Sequence, residues 1–408
     1  MSSKKTGIPR RAFLRYGMGA VAGVGLVPIA AQGGDSKQEI SKPKERKLVF
    51  RNLGKTGLKL PVVSMGVMNA DNPNLVRAAL DAGIQHLDTA HGYQRGRNEE
   101  MIGEAVKGRP RDSFTLATKV AYRKDRRTGK YPRGTTPQSF LDEFAISLKR
   151  LQMDYVDILY IHSVWTRETA LFETALKALE TAKKKGQARF VGLTTHRNQP
   201  EVIRAVVESG LYDVVLVAYN FRQDNRDAIR DEIAKAAKAG IGVIAMKTLA
   251  GGYWDREKQY PINPKAALKW VLQDENVHTT IPGFNTFDQM EVALSVMENM
   301  TLTPEELEDL KFKHESGALG LYCQQCAECV PQCVQGLPVP ELMRGYMYAY
   351  GYRNLDEAHS LVGSLELPKN PCGDCRACAV RCRQGFDVKA KIVDIARLGH
   401  VPADFFAG

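Results

Sequence analysis

The eight cysteines of the 408-residue chain all lie between Cys323 and Cys382. They form two runs with the same spacing, Cys323-x2-Cys326-x2-Cys329-x3-Cys333 and Cys372-x2-Cys375-x2-Cys378-x3-Cys382. Three closely spaced thiolates in one loop can bind three irons of a cubane, whereas zinc commonly takes two separated pairs of ligands. Disulfides that staple a secreted protein would be spread over its fold. The spacing therefore favours two [4Fe-4S] clusters, with zinc as the main alternative.

The repeat extends beyond the cysteines. At the same offset of 49 residues, Gln335-Gly336 and Val339 recur as Gln384-Gly385 and Val388. Such runs resemble bacterial two-cluster ferredoxins, and the resemblance implies that the fourth cysteine of each run binds the other cluster. Cys333 would then complete the second set and Cys382 the first. Residues 339–350 and 355–362 have helical patterns, so we expect residues 319–408 to form a small, mainly helical, ferredoxin-like domain.

A second group of chemically capable residues stands at the ends of predicted strands: Asp88, Tyr93, Lys119 and His162. Reduction of a carbonyl needs a hydride on carbon and a proton on oxygen. A free tyrosine has a pKa of about 10, and a neighbouring ammonium lowers that pKa. We therefore expect Tyr93, beside Lys119, to act as general acid in reduction or as base in oxidation. Asp88 would hold Lys119 in place, and His162 would orient the substrate oxygen.

These residues lie on an alternation of strand and helix patterns that follows an opening hairpin at residues 51–60. Short apolar runs predict strands at 62–66, 84–88, 114–120, 156–162, 188–193, 214–219, 242–246 and 278–281. Amphipathic stretches predict helices at 75–82, 99–106, 139–151, 169–185, 201–209, 226–239, 264–273 and 287–298. Buried strands that alternate with helices indicate a parallel sheet. Eight such units predict an α/β fold, a (β/α)8 TIM barrel over residues 48–318, with its chemistry at the C-terminal strand ends.

Four segments carry a likeness to a known family: RNLGKTGLKLPVVSMG, GIQHLDTAHGYQRGRNEEMIGEAV, TLATKV and YIHSV. In this order, over about residues 48–310, they resemble the aldo-keto reductase superfamily. The resemblance implies that Asp88, Tyr93, Lys119 and His162 form its catalytic tetrad. It also implies hydride transfer to or from a small carbonyl or alcohol substrate. A barrel that keeps the tetrad but has changed its chemistry is the alternative, since a fold alone does not determine function.

The same resemblance implies cofactor contacts, several of which are replaced. Thr194-Thr195 take the place of a Ser-Asn pair that grips the nicotinamide carboxamide, and Met246 replaces the aromatic residue that stacks on the ring. Gly283-Phe284 and Gln289 stand where cationic residues would hold a 2′-phosphate. NAD(P)H is therefore a possible cofactor without an expected preference for NADPH, because the charge-assisted phosphate contact is lost. The candidate cofactor-binding residues are Thr194, Thr195, Asn220, Lys247, Gly251 and Gly252.

The N-terminal segment carries five basic residues and no acidic one before residue 32. Its sequence Arg10-Arg11-Ala12-Phe13-Leu14-Arg15 resembles a twin-arginine export signal. The apolar run from Tyr16 to Ala31 is short for a membrane span of about 20 residues, although a retained anchor is the alternative. We expect residues 1–31 to be a signal peptide and residues 32–47 a linker. The protein would then be periplasmic or otherwise exported, with no stable membrane span after cleavage.

The formal net charge of +11 raises the question of an anionic partner. No nucleic-acid recognition motif accompanies this charge, so nucleic acid is not an expected partner. The basic loop at residues 123–133 either attracts an anionic substrate or redox partner or is an ordinary solvated loop. If the clusters transfer electrons, an external electron carrier is the further partner. Purely structural clusters, or a non-catalytic electron-transfer or binding protein on a reductase fold, are the competing interpretations.

Overall fold

The computed structural model describes residues 46–125, 128–255, 257–311 and 320–406. The predicted signal peptide and all but two residues of the predicted linker lie outside the described residues. The predicted domain boundary between residues 318 and 319 lies outside them as well. Within the described part, no helix combines the length and apolarity needed to cross a membrane.

An antiparallel hairpin precedes the barrel, as predicted. Its strands are β1 (Phe50–Asn52) and β2 (Lys59–Pro61), with Phe50 opposite Pro61. Leu53, Leu58 and Leu60 are buried and pack with the side chains that fill the barrel interior. The hairpin therefore contributes to the core, and the strand ends that carry polar residues remain free for a site.

The barrel consists of eight parallel strands in chain order. They are β3 (Met65–Gly66), β4 (His86–Asp88), β5 (Thr115–Val120), β6 (Val156–Ile161), β7 (Ala188–Thr195), β8 (Val214–Ala218), β9 (Gly242–Met246) and β10 (Thr279–Thr280). The first and last strands meet through parallel bridges between Val63 and Thr280 and between Gly66 and Gly283. Six of the strands are completely buried because helices cover the outside of the sheet. The predicted (β/α)8 barrel is confirmed.

Helices alternate with these strands along the chain. They are α1 (Pro73–Asp81), α2 (Arg97–Val106), α3 (Pro137–Leu151), α4 (Arg167–Ala170), α5 (Glu173–Lys184), α6 (Gln199–Ser209), α7 (Arg226–Lys238), α8 (Pro264–Leu272), α9 (Phe287–Glu298) and α10 (Pro304–Asp309). Side-chain caps such as Thr136 and Asn263 accept hydrogen bonds from first-turn amides and define where helices begin. The single helix predicted at 169–185 is two helices in the structure, α4 and α5. A capping box formed by Thr166 and Thr169 begins the short α4.

The C-terminal segment, residues 320–406, is helical between its cysteine loops. It contains α11 (Val339–Tyr346), a π-helical turn (Met347–Gly351), α12 (Leu355–Gly363) and α13 (Val388–Ala396). Gly336 and Gly385 both have positive φ, and each donates its amide to the carbonyl of the cysteine three residues earlier at 2.9 Å. Buried Val339 and Val388 then begin matching helices. The repeat read from the sequence is therefore a structural repeat of loop, turn and helix.

The C-terminal segment shares a hydrophobic core with the loops at the C-terminal strand ends of the barrel. Ala250, Trp254 and Ile262 from the barrel pack in one cluster with Leu342 and Tyr346. Gly251 allows this close approach, since a Cβ there would lie 3.3 Å from the Tyr322 Cβ. The segment therefore packs against the end of the barrel where the predicted catalytic residues stand.

Candidate active site

Asp88, Lys119 and Tyr93 come together at the C-terminal ends of β4 and β5. The Lys119 Nζ forms an ion pair with Asp88 Oδ1 and donates a hydrogen bond to the Thr89 carbonyl at 2.6 Å. The same Nζ lies 3.4 Å from the Tyr93 hydroxyl and 4.9 Å from the centre of its ring. Lys119 and Asp88 are each only 1% exposed. The ammonium is therefore fixed between a carboxylate and a phenol.

His162 follows β6 and completes this group. Its ring meets the Tyr93 ring edge-on, with the centroids 5.9 Å apart. Burial lowers the pKa of His162 well below its usual range, and the charges of Lys119 and Lys124 lower it further. Arg344 and Lys247 act in the same direction. The imidazole is therefore neutral near pH 7 and can orient a substrate oxygen by a hydrogen bond.

The loop after Tyr93 holds the phenol in place. Gln94 and Arg95 both have positive φ, a strained conformation for residues other than glycine. The Gln94 side chain donates hydrogen bonds to the carbonyls of Met68 and Ala70 at 3.2 and 3.1 Å. These bonds connect the Tyr93 loop to the loop after β3, so two neighbouring loops fix the position of Tyr93.

The pKa of Tyr93 differs from the sequence-based expectation. Burial raises it well above the ordinary value of 10, and the carboxylates of Asp88 and Glu357 raise it further. Arg344 opposes this rise but is outweighed. The expected lowering was wrong because it counted the Lys119 ammonium without its paired carboxylate and without burial. The phenol is therefore protonated at neutral pH.

A cavity of about 540 Å³ opens onto these residues. Asp88, Tyr93 and Lys119 line one part of it, and Met246 lies in its wall. The cavity continues past the end of β10, where its wall includes Gly283, Phe284, Asn285 and Gln289. It is thus long enough to connect the catalytic residues with the region that the sequence comparison relates to cofactor binding.

The predicted cofactor contacts divide into two groups. Lys247, Gly251 and Gly252 line the cavity. Thr194 and Thr195 are buried and serve the loops: Thr194 Oγ1 accepts a hydrogen bond from the Ser163 amide at 2.8 Å, and Thr195 Oγ1 donates to the Arg197 carbonyl at 2.8 Å.

Asn220 is also buried and has a connecting role. Its amide donates to the Lys247 carbonyl at 3.1 Å and to the Tyr322 hydroxyl at 2.9 Å. These bonds tie the end of β8 to the loop after β9 and to the C-terminal segment. Like those of the two threonines, its side-chain contacts position backbone around the cavity.

Several site residues were missed by sequence reasoning because they come from the C-terminal segment. Tyr352 and Arg353 line the cavity, and the Tyr348 hydroxyl lies 3.4 Å from Lys247 Nζ. Tyr348 and Tyr352 place their rings against Lys247. His196, which also lines the cavity, was missed as well; its place directly after Thr195 in β7 was the available signal.

Polar contacts hold α12 of the C-terminal segment beside the Tyr93 loop. Asp356 forms ion pairs with Arg95 at 2.9 Å and with Arg97 at 3.2 Å. Asn354 donates a hydrogen bond to Asn69 Oδ1 at 2.7 Å. These contacts explain how Glu357, the next residue in the first turn of α12, comes close enough to influence the pKa of Tyr93.

The eight cysteines fall into two sets of four, each of which lines its own cavity. The first thiol set is Cys323, Cys326, Cys329 and Cys382. The second thiol set is Cys333, Cys372, Cys375 and Cys378. Each set takes its fourth member from the other run, as the resemblance to two-cluster ferredoxins implied. Burial raises the pKa of Cys323 to about 12 and that of Cys329 to about 11, so metal binding would release protons.

Among the described residues, no three His, Cys, Asp or Glu side chains are grouped as they would be around a single metal ion. A four-iron cluster is held by four thiolates that surround the cluster as a whole. The ligand number and type in each thiol set match this requirement.

The first thiol set adjoins the barrel. Gln324 accepts a hydrogen bond from the Asp224 amide and donates one to the Arg222 carbonyl, both at 3.1 Å. Arg383 forms an ion pair with Asp224 at 3.2 Å. Arg197, one residue after His196, is near enough for Cys323 and Cys329 to influence its pKa. The first thiol set is therefore close to β7 and its cavity-lining end.

The predicted basic loop directs one of its described cations inward. Lys124 is buried, with its Nζ 4.5 Å from the centre of the Trp165 ring. Arg197 lies over the same ring at 5.1 Å. Arg126 and Arg127 lie outside the described residues. The loop is therefore not simply a solvated segment, since one of its cations adds to the positive charge around His162.

Comparison with known proteins assigns the barrel to a family. Residues 64–266 match the model of the aldo/keto reductase family. They form an aldo/keto reductase domain. The chain is 27% identical over 334 residues to the L-glyceraldehyde 3-phosphate reductase of Escherichia coli O157:H7, covering 67% of this chain and 94% of that protein. It is 27% identical over 315 residues to the L-galactose dehydrogenase of Arabidopsis thaliana, covering 65% and 94% of the two chains.

Solved structures agree with the fold of this aldo/keto reductase domain. The aldo-keto reductase AKR11C1 of Bacillus halodurans in its holo form superposes with a TM-score of 0.53 at 24% identity, over 65% of this chain and 95% of that one. This likeness concerns the fold alone. With the family match and the curated relatives, the protein is an oxidoreductase that acts on carbonyl or alcohol groups. The family match ends before the first cysteine.

Proposed function

We propose that the barrel transfers hydride to or from a small carbonyl or alcohol compound and that the cysteine loops bind two [4Fe-4S] clusters for one-electron transfer. The observation that carries the catalytic half is the contact of Lys119 Nζ with both Asp88 and Tyr93 in one cavity. The chain could thus pair a two-electron reaction site with one-electron centres. We infer no stoichiometry between the two.

In the reduction direction, the Tyr93 hydroxyl donates its proton to the substrate oxygen. Its raised pKa keeps the phenol protonated before the reaction, and the paired Lys119 stabilises the phenolate that forms. His162, neutral and edge-on to Tyr93, orients the same oxygen. A bound nicotinamide would supply or accept the hydride. In the oxidation direction, the Tyr93 phenolate would accept the proton of the alcohol.

The cavity also bears on which nicotinamide is used. Gly252 in its wall has open space where a side chain would stand and permits close approach of a bound group, and Met246 offers a polarisable side chain to a ring. At the β10 end, Gln289 accepts a hydrogen bond from the Asn285 amide at 3.0 Å. Because Gly283, Phe284 and Gln289 are uncharged, this part of the wall gives no charge-assisted contact to a 2′-phosphate. We propose NADH in preference to NADPH.

Substitution of Tyr93 by Phe tests the catalytic half. Loss of general acid catalysis should lower kcat for carbonyl reduction about 100- to 10,000-fold. Tyr155→Phe is the matched control, because Tyr155 precedes β6, at the barrel end remote from the strand ends that carry the site. Unchanged carbonyl reduction by the Tyr93→Phe protein would refute the proposed role of the tetrad.

The cluster half rests on the two thiol sets. Each offers four cysteine sulfurs around one cavity, which is the ligand set of a [4Fe-4S] cluster. Gln335 donates a hydrogen bond to Cys375 Sγ at 3.7 Å, the kind of contact that tunes the potential of such a centre. Cys323 and Cys329 of the first thiol set act on the pKa of Arg197, the neighbour of His196, so this set would exchange electrons with the catalytic cavity. An external carrier would exchange electrons at the second set.

Anaerobic purification with iron, zinc and acid-labile sulfide analysis tests the clusters. We expect about eight iron and eight sulfide per chain, since each cluster has four of each. Finding zinc, or no iron, would refute the assignment. Cys326→Ser then separates the two roles that remain. Loss of turnover with a one-electron acceptor in a folded protein supports electron transfer, whereas lower stability with unchanged electron flow supports a structural role.

We further propose export by the twin-arginine route, on the basis of the Arg10-Arg11 segment alone. This route carries folded proteins, which suits a protein whose clusters are inserted before translocation. Replacement of both arginines by lysine should retain the protein in the cytoplasm of an expressing bacterium, as measured by cell fractionation. Unchanged release into the periplasm would refute this route.

A further inference from the structure

Lys247, at the end of β9, has an unusual environment in the catalytic cavity. It lines the cavity together with Lys119 and Tyr93. Its Nζ lies 4.7 Å from the centre of the Tyr348 ring and 5.1 Å from that of Tyr352. Among the described residues, its only hydrogen bond is the one that Nζ donates to the Tyr348 hydroxyl, at 3.4 Å. Two tyrosines of the C-terminal segment thus hold a barrel lysine.

Three cations of the described structure have a carboxylate partner, whereas Arg197 lies over the Trp165 ring. Lys119 pairs with Asp88, Arg344 with Glu341, and Lys269 with Glu306 at 2.9 Å. Among the described residues, Lys247 has no carboxylate within ion-pair distance. Desolvating a cation is costly unless an anion is close by. A lysine that lines a cavity without such a partner is therefore available to an anion that enters the cavity.

Glu357 is the nearest candidate for an internal partner. Its charge raises the pKa of Lys247, but the two groups form no ion pair in the described structure. Burial raises the pKa of Glu357 itself to about 7, so that its carboxyl group is only partly ionised at neutral pH. Glu357 therefore compensates the charge of Lys247 incompletely.

The surrounding charges also favour an anion. Lys124 and Arg344, like Lys247, lower the pKa of both His162 and His196, so these cations act on the same part of the cavity. Arg344 is balanced by Glu341, whereas Lys247 is not. A positive field of this kind attracts and orients an anionic group next to the reacting centre.

We propose that Lys247, held by Tyr348 and Tyr352, binds an anionic oxygen group of the carbonyl substrate, a carboxylate or a phosphate. This inference rests on the proposed reductase function and names its substrate class. It makes the C-terminal segment a part of the substrate site as well as the carrier of the cysteines. Tyr348 and Tyr352 are positioning residues, since they act through Lys247.

The test compares aldehydes that differ in one charge. For the wild-type protein with NADH, kcat/KM is measured for 4-formylbenzoate and for its neutral methyl ester. The ratio should favour the carboxylate and fall about 10- to 100-fold in Lys247→Met, the range typical of a lost hydrogen bond to a charged group. A second pair, 4-formylphenyl phosphate and 4-methoxybenzaldehyde, shows which anion is preferred. Lys238→Met, on the exposed face of α7, is the matched control.

Two further measurements, the KM for NADH and thermal protection, distinguish the remaining outcomes. If Lys247→Met raises the KM of NADH and leaves both substrate ratios at their wild-type values, Lys247 binds the cofactor and the inference is wrong. If the wild-type protein reduces none of the four aldehydes, the proposed function fails, and thermal protection without NADH decides the inference alone. Protection by 4-formylbenzoate over its ester, lost in Lys247→Met, supports anion binding; equal protection of the two proteins refutes it.

Discussion

Lys119 and Lys247 stand in the same cavity, yet their surroundings differ. The barrel supplies Lys119 with a carboxylate, a carbonyl and a phenol, and leaves it 1% exposed. Lys247 lies against aromatic rings of the C-terminal segment and donates one long hydrogen bond to the Tyr348 hydroxyl. The barrel itself supplies Lys119 with a negatively charged partner, whereas Lys247 would gain such a partner only when an anion binds in the cavity. The comparison separates the part of the site that performs proton chemistry from the part that selects the substrate.

The largest expected difference between the two lysines is in stability. Lys119→Met leaves the buried Asp88 carboxylate without its partner and should lower the free energy of unfolding by about 3–5 kcal/mol. Lys247→Met removes a cation that has no ion-pair partner in the described structure, so we expect a change within about 1 kcal/mol. Urea unfolding of the two variants measures both effects. Equal destabilisation would show that Lys247 is as firmly paired as Lys119.

A smaller effect is expected in the pH dependence of binding. Burial and the charge of Arg344 lower the pKa of Lys247 to about 7, with Glu357 opposing and Lys119 adding to the lowering. The ammonium is therefore mostly present at pH 6 and mostly absent at pH 8. The KM for 4-formylbenzoate should rise about tenfold between these values, in proportion to the charged fraction. Glu357, with a pKa of about 7, gains negative charge over the same range and acts in the same direction.

Steady-state kinetics with 4-formylbenzoate and its methyl ester from pH 6 to pH 8 checks this prediction. The ester should show no such rise in KM, because it carries no charge for Lys247 to bind. Lys247→Met should remove most of the pH dependence for 4-formylbenzoate and leave only the part that comes from Glu357. A rise of the same size for both compounds would place its origin in a titrating group other than Lys247.

The smallest effect concerns the attachment of α12. Asp356→Asn weakens the ion pairs with Arg95 and Arg97, which are partly exposed, and should cost about 1 kcal/mol of stability. Because the same contacts place Glu357 near Tyr93, the kcat for reduction should change more than the KM for NADH. The matched control is Asp227→Asn, whose partner Arg230 lies on the outer helix α7. If the two variants have identical kinetic effects, the attachment of α12 does not influence the reaction.

Strongly patterned elements were predictable from the sequence. The strand at Gly242–Met246 and the helix at Phe287–Glu298 have the predicted bounds, because apolar runs and helical periodicity report burial directly. The helix predicted at 169–185 was broken at Leu171, where α4 ends and a second helix begins two residues later. The separate start of α4 depends on a local capping contact between Thr166 and Thr169, which hydrophobic periodicity does not report.

The candidate site was predictable only in part, for the same reason. Asp88, Tyr93, Lys119 and His162 follow from the rule that parallel strands end at one face. The roles of Thr194 and Thr195 depend on which backbone groups happen to face their hydroxyls, which is a property of the folded loops. The direction of the Tyr93 pKa shift likewise depends on burial and on Glu357, which is distant in the chain.

The sequence by itself determined the candidate ligands and the candidate reacting groups. These are two cysteine runs of one spacing and four polar residues at strand ends, because spacing and residue type are local properties. The tertiary structure decided which groups meet. It divides the cysteines between two cavities and packs the C-terminal segment over the strand ends of the barrel. It also brings Tyr348 to Lys247, a contact across 101 residues of chain. Such long-range contacts arise from the packing of buried surfaces and leave no periodic trace in the sequence.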